Sequence, residues 1–290
     1  MKIGFIGAGK VANAFGLYLT SKKLSVEYVY SKTQASALKM AKLTHSSYCE
    51  TTKELVEKSD IVFITTGDSQ IANVAELIVS EFRMETDRKK FVLKEKTFIH
   101  MSGALTSDEL LLLGKLGANC YSLHPLQSFA ENDKALSELT TSVFSIEGDT
   151  QNDNVEMLLR AMGNEIIKLS KENKVKYHIA ACISSNYLIT LLNSSVEIFG
   201  EIGIERETAI KSLMPLIKGA VSNFESFNLE DALTGPIKRG DYKTIKHHVN
   251  DLENSKFIEL YEVMGRYTIP IAKKSGTDKS KLEQIEKLLR

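Results

Sequence analysis

The sequence has no surplus of charge of either sign. Its 37 Lys and Arg balance 37 Asp and Glu, giving a formal net charge of zero and a pI near 7.0. The long-range field that drives non-specific binding to nucleic acid or an anionic membrane is therefore missing, and any bound anion has to be held locally. Cysteine is scarce. Cys49, Cys120 and Cys182 are odd in number, far apart and free of any C-x-x-C pair. This excludes a disulfide framework and a zinc ribbon, and points to a reducing compartment. No charged n-region, long apolar stretch and small-residue cleavage site opens the chain, so a cytoplasmic location is expected. His247-His248 is the only adjacent histidine pair, and without a third ligand at helical spacing no metal site is expected. Tyr177 to Val196 lacks Asp, Glu, Lys and Arg and has about the length of a bilayer span. It also carries His178, Ser184, Ser185, Asn186, Thr190, Asn193, Ser194 and Ser195, a polar load that suits a helix buried in protein rather than one facing lipid. Neither a nucleic-acid nor a membrane partner is expected.

What is present is a chain of 290 residues, 43% of them hydrophobic, enough for a sizeable core and about two domains. Up to about Gly148, short β-rich apolar runs alternate with helical patterns, the signature of βαβ units and a parallel sheet. The predicted strands are Lys2–Ile6, Ser25–Tyr30, Ser46–Tyr48, Asp60–Thr65, Thr97–His100 and Ala118–Ser122, with an edge strand at Ser142–Glu147. Beyond Asp149 helix follows helix, apart from a short strand at Glu165–Leu169, and Leu282, Ile285 and Leu288 mark a terminal helix. An α/β domain over 1–149 and an all-α domain over 150–290 are predicted.

Gly7-Ala8-Gly9-Lys10-Val11-Ala12 follows the first strand and opens an amphipathic stretch, the strand-turn-helix context of a dinucleotide fingerprint. Gly7 permits the tight turn, Gly9 lets the backbone approach a pyrophosphate, and Ala12 is small enough for the helix to pack on the sheet. The helix N-terminus supplies N–H groups and partial positive charge to the phosphates. An NAD site usually places a carboxylate at the end of the second strand; here stand Ser31, Lys32 and Thr33, which suit a 2′-phosphate and favour NADP(H) over NAD(H). Thr66 and Asp68 leave the fourth strand on the ligand edge of such a sheet, where Asp68 either meets the cofactor or caps the helix predicted at Ser69–Phe82.

Four further segments carry a resemblance over nearly the whole chain. They are His100-Met101-Ser102-Gly103-Ala104-Leu105; Ser122-Leu123-His124-Pro125-Leu126-Gln127-Ser128-Phe129; Tyr177-His178-Ile179-Ala180-Ala181 with Ser185-Asn186-Tyr187-Leu188; and Ala232 to Asp241 with Thr244 and His248. The chain resembles the Rossmann-like proteins that carry the C-terminal domain of unknown function DUF2520. The resemblance implies an NADP-linked oxidoreductase related to pyrroline-5-carboxylate reductase, ketopantoate reductase and the 6-phosphogluconate and β-hydroxyacid dehydrogenases. It also implies a helical second domain of the 6-phosphogluconate dehydrogenase C-terminal type. The catalytic Lys and Asn that β-hydroxyacid dehydrogenases place four residues apart on the long helix opening that domain have no counterpart pair here; Lys246 and Asn250 have the spacing but lie far downstream. Gly67 stands where the family would favour proline.

Hydride transfer to a carbonyl or imine leaves negative charge on the accepting atom, so a proton donor and a group that orients the acceptor are needed. His124, leaving the sixth strand, and His178, on the first long helix of the second domain, are predicted to share one pocket, with Asn186 bonding the acceptor or the nicotinamide amide. The alternatives are a loop histidine fixed by Pro125 and a helix-start histidine bonded to backbone. Cys182 and Ser185 share nearly the same helix face as His178. His100 and Ser102 are expected near the nicotinamide, and Gln127, Ser185, Arg239, Asp241 and His248 near a small-molecule substrate. For Arg239 and Asp241 a structural pair fixing a helix start explains the same residues. The 177–196 helix has more apolar surface than one neighbour covers, which predicts a homodimer through the helical domain. A protein that binds NADP(H) without turnover, as a sensor or scaffold, is the competing expectation.

Overall fold

The computed structural model describes residues 1–83, 93–128, 135–149 and 152–289; Phe129 and the residues at 150–151, where the predicted domain boundary falls, lie outside them. The chain divides into two compact units, Met1–Tyr187 and Leu188–Arg290.

The first unit is built on an eight-stranded sheet: β1 (Ile3–Ile6), β2 (Val26–Tyr30), β3 (Ser47–Tyr48), β4 (Ile61–Ile64), β5 (Thr97–His100), β6 (Asn119–Pro125), β7 (Phe144–Gly148) and β8 (Ile166–Lys168). Their order is β3-β2-β1-β4-β5-β6-β7-β8. The first six pair in parallel in the doubly wound order, with the strand order reversing between β1 and β4. Ile61-Val62-Phe63-Ile64 is buried throughout, as a central parallel strand covered on both faces should be. On one face α1 (Lys10–Ser21), α2 (Gln34–Thr44), α6 (Ala135–Thr141) and α7 (Asp153–Met162) contribute to a core with Ile3, Phe5, Phe63 and Leu123. On the other, α3 (Thr52–Lys58), α4 (Ile71–Arg83) and α5 (Leu111–Gly114) pack with Ile6, Val62, Ile64 and Phe98. Phe15 of α1 sits in an aromatic cluster, 5.2 Å from Phe63 and 6.0 Å from Phe144 between ring centroids.

The predicted strands all form, and one of them is longer than the sequence pattern indicates. β6 continues past Ser122 to Pro125 because β7 pairs with it antiparallel from Tyr121 to Pro125, beyond the reach of β5. His124, expected just beyond the end of this strand, is therefore a strand residue directly opposite Ser145, which removes its alternative as a loop histidine. α8 (Lys171–Cys182) follows β8 and runs into a π turn over Ile183–Tyr187.

The second unit is entirely helical among the described residues: α9 (Leu188–Glu201), α10 (Arg206–Ser226), α11 (Leu229–Ala232), α12 (Pro236–Arg239), α13 (Tyr242–Asp251), α14 (Ile258–Lys274) and α15 (Lys279–Glu286). Its core gathers Ile237, Ile245, Ile269, Ala272, Leu282, Ile285 and Leu289, and α15 begins at an Asp278 cap that accepts from the Lys281 N–H. Lys171–Glu201 forms one helical stretch long and apolar enough, by length and composition, to cross a membrane. Its apolar window is almost wholly exposed, in keeping with the expectation that this helix has more apolar surface than one neighbour covers. Ile189 on α9, and Leu216 and Phe224 on α10, are 65%, 72% and 66% exposed.

Candidate active site

Two loops at the strand-order reversal carry the nucleotide-binding residues. Gly7 has φ +104°, a left-handed conformation that a side chain disfavours, and its N–H donates to the Tyr30 carbonyl at 2.8 Å. Gly9 takes the N-cap position of α1, and a Cβ there would meet nothing within 4 Å. The first turn of α1 carries no side-chain cap and no acidic residue, leaving its N–H groups and partial positive charge for an anion. Ala8 and Ala12 are buried, Val11 is half-buried and Lys10 is exposed. The Thr66 Oγ1 is buried without a hydrogen-bond partner among the described residues, beside Gly7. Ser31 is half-buried, Lys32 and Thr33 are exposed, and the side chains of all three make no hydrogen bond or ion pair among the described residues. An open glycine, an uncapped helix start, an orphaned hydroxyl and a free ammonium together fit a phosphorylated dinucleotide.

Asp68 lies within a short 3-10 turn after Gly67 and is not the helix cap that was its alternative role. Its Oδ2 accepts from Ser102 Oγ at 2.8 Å. That hydroxyl also accepts from the Ala104 and Leu105 N–H groups, so Ser102 fixes the turn that follows β5. His100 is fully buried; its Nδ1 accepts from the Ser102 N–H, which leaves Nε2 protonated and donating to the Thr106 carbonyl at 2.9 Å. Burial pushes the ring down to about 4. With both nitrogens engaged, His100 shapes the turn and offers no hydrogen bond to a cofactor.

His124 and His178 do meet. Their ring centroids are 6.3 Å apart with the planes nearly perpendicular. His124 Nδ1 pairs with the Tyr177 hydroxyl at 3.1 Å, and His178 Nε2 faces Cys182 Sγ at 3.5 Å, not backbone. The remaining nitrogens converge on Gly103: a Cβ built there would stand 2.7 Å from His178 Nδ1 and 2.8 Å from His124 Nε2. His178 Nδ1 is buried and has no hydrogen-bond partner among the described residues. Burial pushes His124 down to about 4, reinforced by the positive charge of Lys174 and by His178.

Asn186 does not join the pair as foreseen. It lies in the π turn, exposed, with Oδ1 accepting from Ser185 Oγ. Eight residues at 1.5 Å rise put it about 12 Å along the helix from His178, too far for both to grip one small acceptor group. Ser185 is exposed and its hydroxyl also bonds the Ala181 carbonyl; Gln127 is half-buried in the turn after β6, where its Oε1 accepts from the Ser128 N–H. In the helical unit, Asp241 is the cap of α13, accepting from Thr244 N–H and Oγ1, so its structural role is a cap and not an Arg–Asp pair. Arg239 is exposed at the end of α12, and His248 is exposed with Nδ1 2.7 Å from the Tyr261 hydroxyl.

Three residues near the pair were not singled out by sequence reasoning. Gly103 and Tyr177 were quoted only as motif letters. Lys174 was lost among the charged residues that open α8, although its spacing of four from His178 puts both on one face. It is fully buried, with Nζ donating to Ser122 Oγ at 2.6 Å. Burial pushes it down to about 8 against the pull of Glu147 and Asp68.

The doubly wound sheet and its glycine loop form a dinucleotide-binding domain, and the family match below makes the class an NADP-linked oxidoreductase. Residues 2–87 match the family described as NADP oxidoreductase coenzyme F420-dependent, and residues 142–268 match DUF2520, a domain of unknown function. The chain is thus similar to NADP oxidoreductases over its nucleotide-binding end and to DUF2520 proteins over much of the remainder. Among solved structures, protein TM1727 from Thermotoga maritima is 26% identical, with 94% of this chain and 98% of that one covered at a TM-score of 0.73. Pyrroline carboxylate reductase from Plasmodium falciparum, with NADP bound, shares the fold at 16% identity, coverage of 100% and 98%, and a TM-score of 0.57. So does a reductive aminase from Aspergillus terreus in complex with NADPH4, cyclohexanone and allyl amine, at 13% identity, 99% and 92% coverage and a TM-score of 0.57. No curated protein matches the chain.

Proposed function

We propose that the protein is an NADPH-dependent reductase acting on a small carbonyl or imine, with His178 and His124 as the groups that serve the accepting atom. The observation that carries this reading is the convergence of two imidazole nitrogens on the turn after β5, at the sheet edge that also bears the nucleotide loop. When bound, the reduced nicotinamide supplies the hydride. The protein's task is then to orient the acceptor and to neutralise the charge left on its oxygen or nitrogen. His124, neutral at pH 7 and held through Nδ1 by Tyr177, suits orientation by a hydrogen bond at Nε2. His178 takes the role of proton donor through Nδ1. Gly103 stands against both nitrogens, where any side chain would crowd them.

Ser31, Lys32 and Thr33 give the preference for the 2′-phosphate, and Thr66 adds a hydroxyl at the loop. The folds of the reductive aminase and of the pyrroline carboxylate reductase above support the substrate class. The exposed apolar residues of α9 and α10 support a homodimer through the helical unit, and the scarcity of cysteine a cytoplasmic location. The test is to make His178→Ala and His124→Ala and confirm that each binds NADPH and melts near the parent. NADPH oxidation is then followed with cyclic imines and small ketones. Loss of the proton donor lowers turnover about 10²- to 10⁴-fold. Near-parental turnover in both variants overturns the assignment. If the parent itself reduces nothing while binding NADPH, the non-catalytic sensor takes its place.

A further inference from the structure

We propose that Lys174 is a positioning residue for the histidine pair, holding the Ser102–Gly103 turn at the level where both imidazoles rest on it and placing a positive charge behind His124. The geometry begins with an ammonium that is fully buried and has one hydrogen bond among the described residues, to Ser122 Oγ at 2.6 Å. A protonated lysine has three donors, so a buried one with a single partner is retained against a desolvation cost and calls for a reason. Ser122 passes the contact on: its hydroxyl donates to the Ser102 carbonyl at 3.0 Å, the peptide group that leads into Gly103. Lys174 on α8, Ser122 on β6 and the Ser102 carbonyl after β5 thus form one buried chain. It ends beside the point on which His124 Nε2 and His178 Nδ1 converge.

Lys174 makes no ion pair among the described residues, and the two carboxylates that act on it are held by other partners. Glu147 on β7 is buried with its two oxygens on Ser107 N–H and Oγ, and Asp68 after β4 holds Ser102. Lys174 also acts on His100 on β5 and His124 on β6, and His178 lies one turn along its own helix. Its charge acts on both His100 and His124 in the direction that disfavours a second cation. On His124 it adds to burial, the larger cause, in lowering the proton affinity of the ring.

This inference rests on the reductase reading for its purpose, but its test needs no substrate. In Lys174→Met, histidine ring signals followed by NMR against pH should show the His124 midpoint rising by about one unit, with the Gly103 amide resonance displaced. In Ser122→Ala, which keeps the lysine, the Gly103 amide should move while the His124 midpoint stays low. A His124 midpoint and Gly103 amide unchanged in Lys174→Met overturn the proposal. If that variant does not fold, an unmoved Gly103 amide in Ser122→Ala overturns it instead. Failure of every substrate while these shifts appear refutes the reductase reading and leaves the positioning role standing.

Discussion

Replacing Gly103 by alanine puts one methyl group where two imidazoles already stand. Its Cβ would lie 2.7 Å from His178 Nδ1 and 2.8 and 2.9 Å from His124 Nε2 and Cε1, closer than carbon and nitrogen tolerate. Gly103 is not among the positive-φ glycines, so the effect is purely one of space. If the rings hold their place, the overpacking costs about 1–3 kcal/mol. If they swing away, His124 gives up its 3.1 Å bond to Tyr177, worth about 0.5–1.5 kcal/mol. Either route predicts a melting temperature lower by several degrees, at roughly 2–4 °C per kcal/mol for a chain of this size. It also predicts displaced ring signals for both histidines and turnover reduced far more than NADPH binding. Gly67→Ala is the control, since a Cβ there meets nothing within 4 Å and its φ of −60° is ordinary. A Gly103→Ala protein that melts with the parent and shows unshifted histidine signals would refute the convergence on which the site is built.

NADPH should bind more tightly than NADH, and Lys32→Ala should shrink the difference by roughly ten- to a hundred-fold, a charge-assisted bond to phosphate being worth about 1.5–3 kcal/mol; equal titrations of the native protein with the two nucleotides would contradict this. His100 and His124 titrate near 4 when folded against 6.5 when unfolded, so the unfolded chain binds more protons between those values. Stability is therefore whole above pH 6.5, declines as pH falls and levels off below 4, by at most about 3 kcal/mol per ring; urea midpoints that stay flat from pH 7 to 4.5 would rule it out. Phe15→Ala should cost about 3–5 kcal/mol by opening the aromatic cluster, read by denaturant unfolding. Light scattering at micromolar concentration should report a dimer, and Leu216→Glu with Phe224→Glu a monomer.

The sheet was legible because its strands are short apolar runs separated by turn signals, and the G-x-G loop because its glycines have one physical use in that setting. The length of β6 was not, since an antiparallel partner twenty residues downstream decides where a strand ends. His124 and His178 were found by chemistry, while their common target, Gly103, was hidden: a glycine's spatial neighbours leave no mark on its own sequence. Lys174 was masked by the charged residues around it. Asn186 stands too far along the helix from His178 to share its acceptor group, a separation that the choice of residue type does not reveal. For Asp241 the structural alternative was legible in outline, a residue fixing a helix start, but not that it does so as the cap of α13 without Arg239.

The central claim is hydride delivery to an acceptor served by the two histidines. NADPH deuterated at the transferring position of its nicotinamide ring, incubated with the protein and a cyclic imine or small ketone, tests it directly by mass spectrometry of the product. The account predicts one deuterium on the reduced carbon with the parent protein and a loss of that product of at least about a hundred-fold in His178→Ala. Deuterium retained entirely in the nucleotide across a broad set of acceptors, in a protein that binds NADPH tightly, would contradict it.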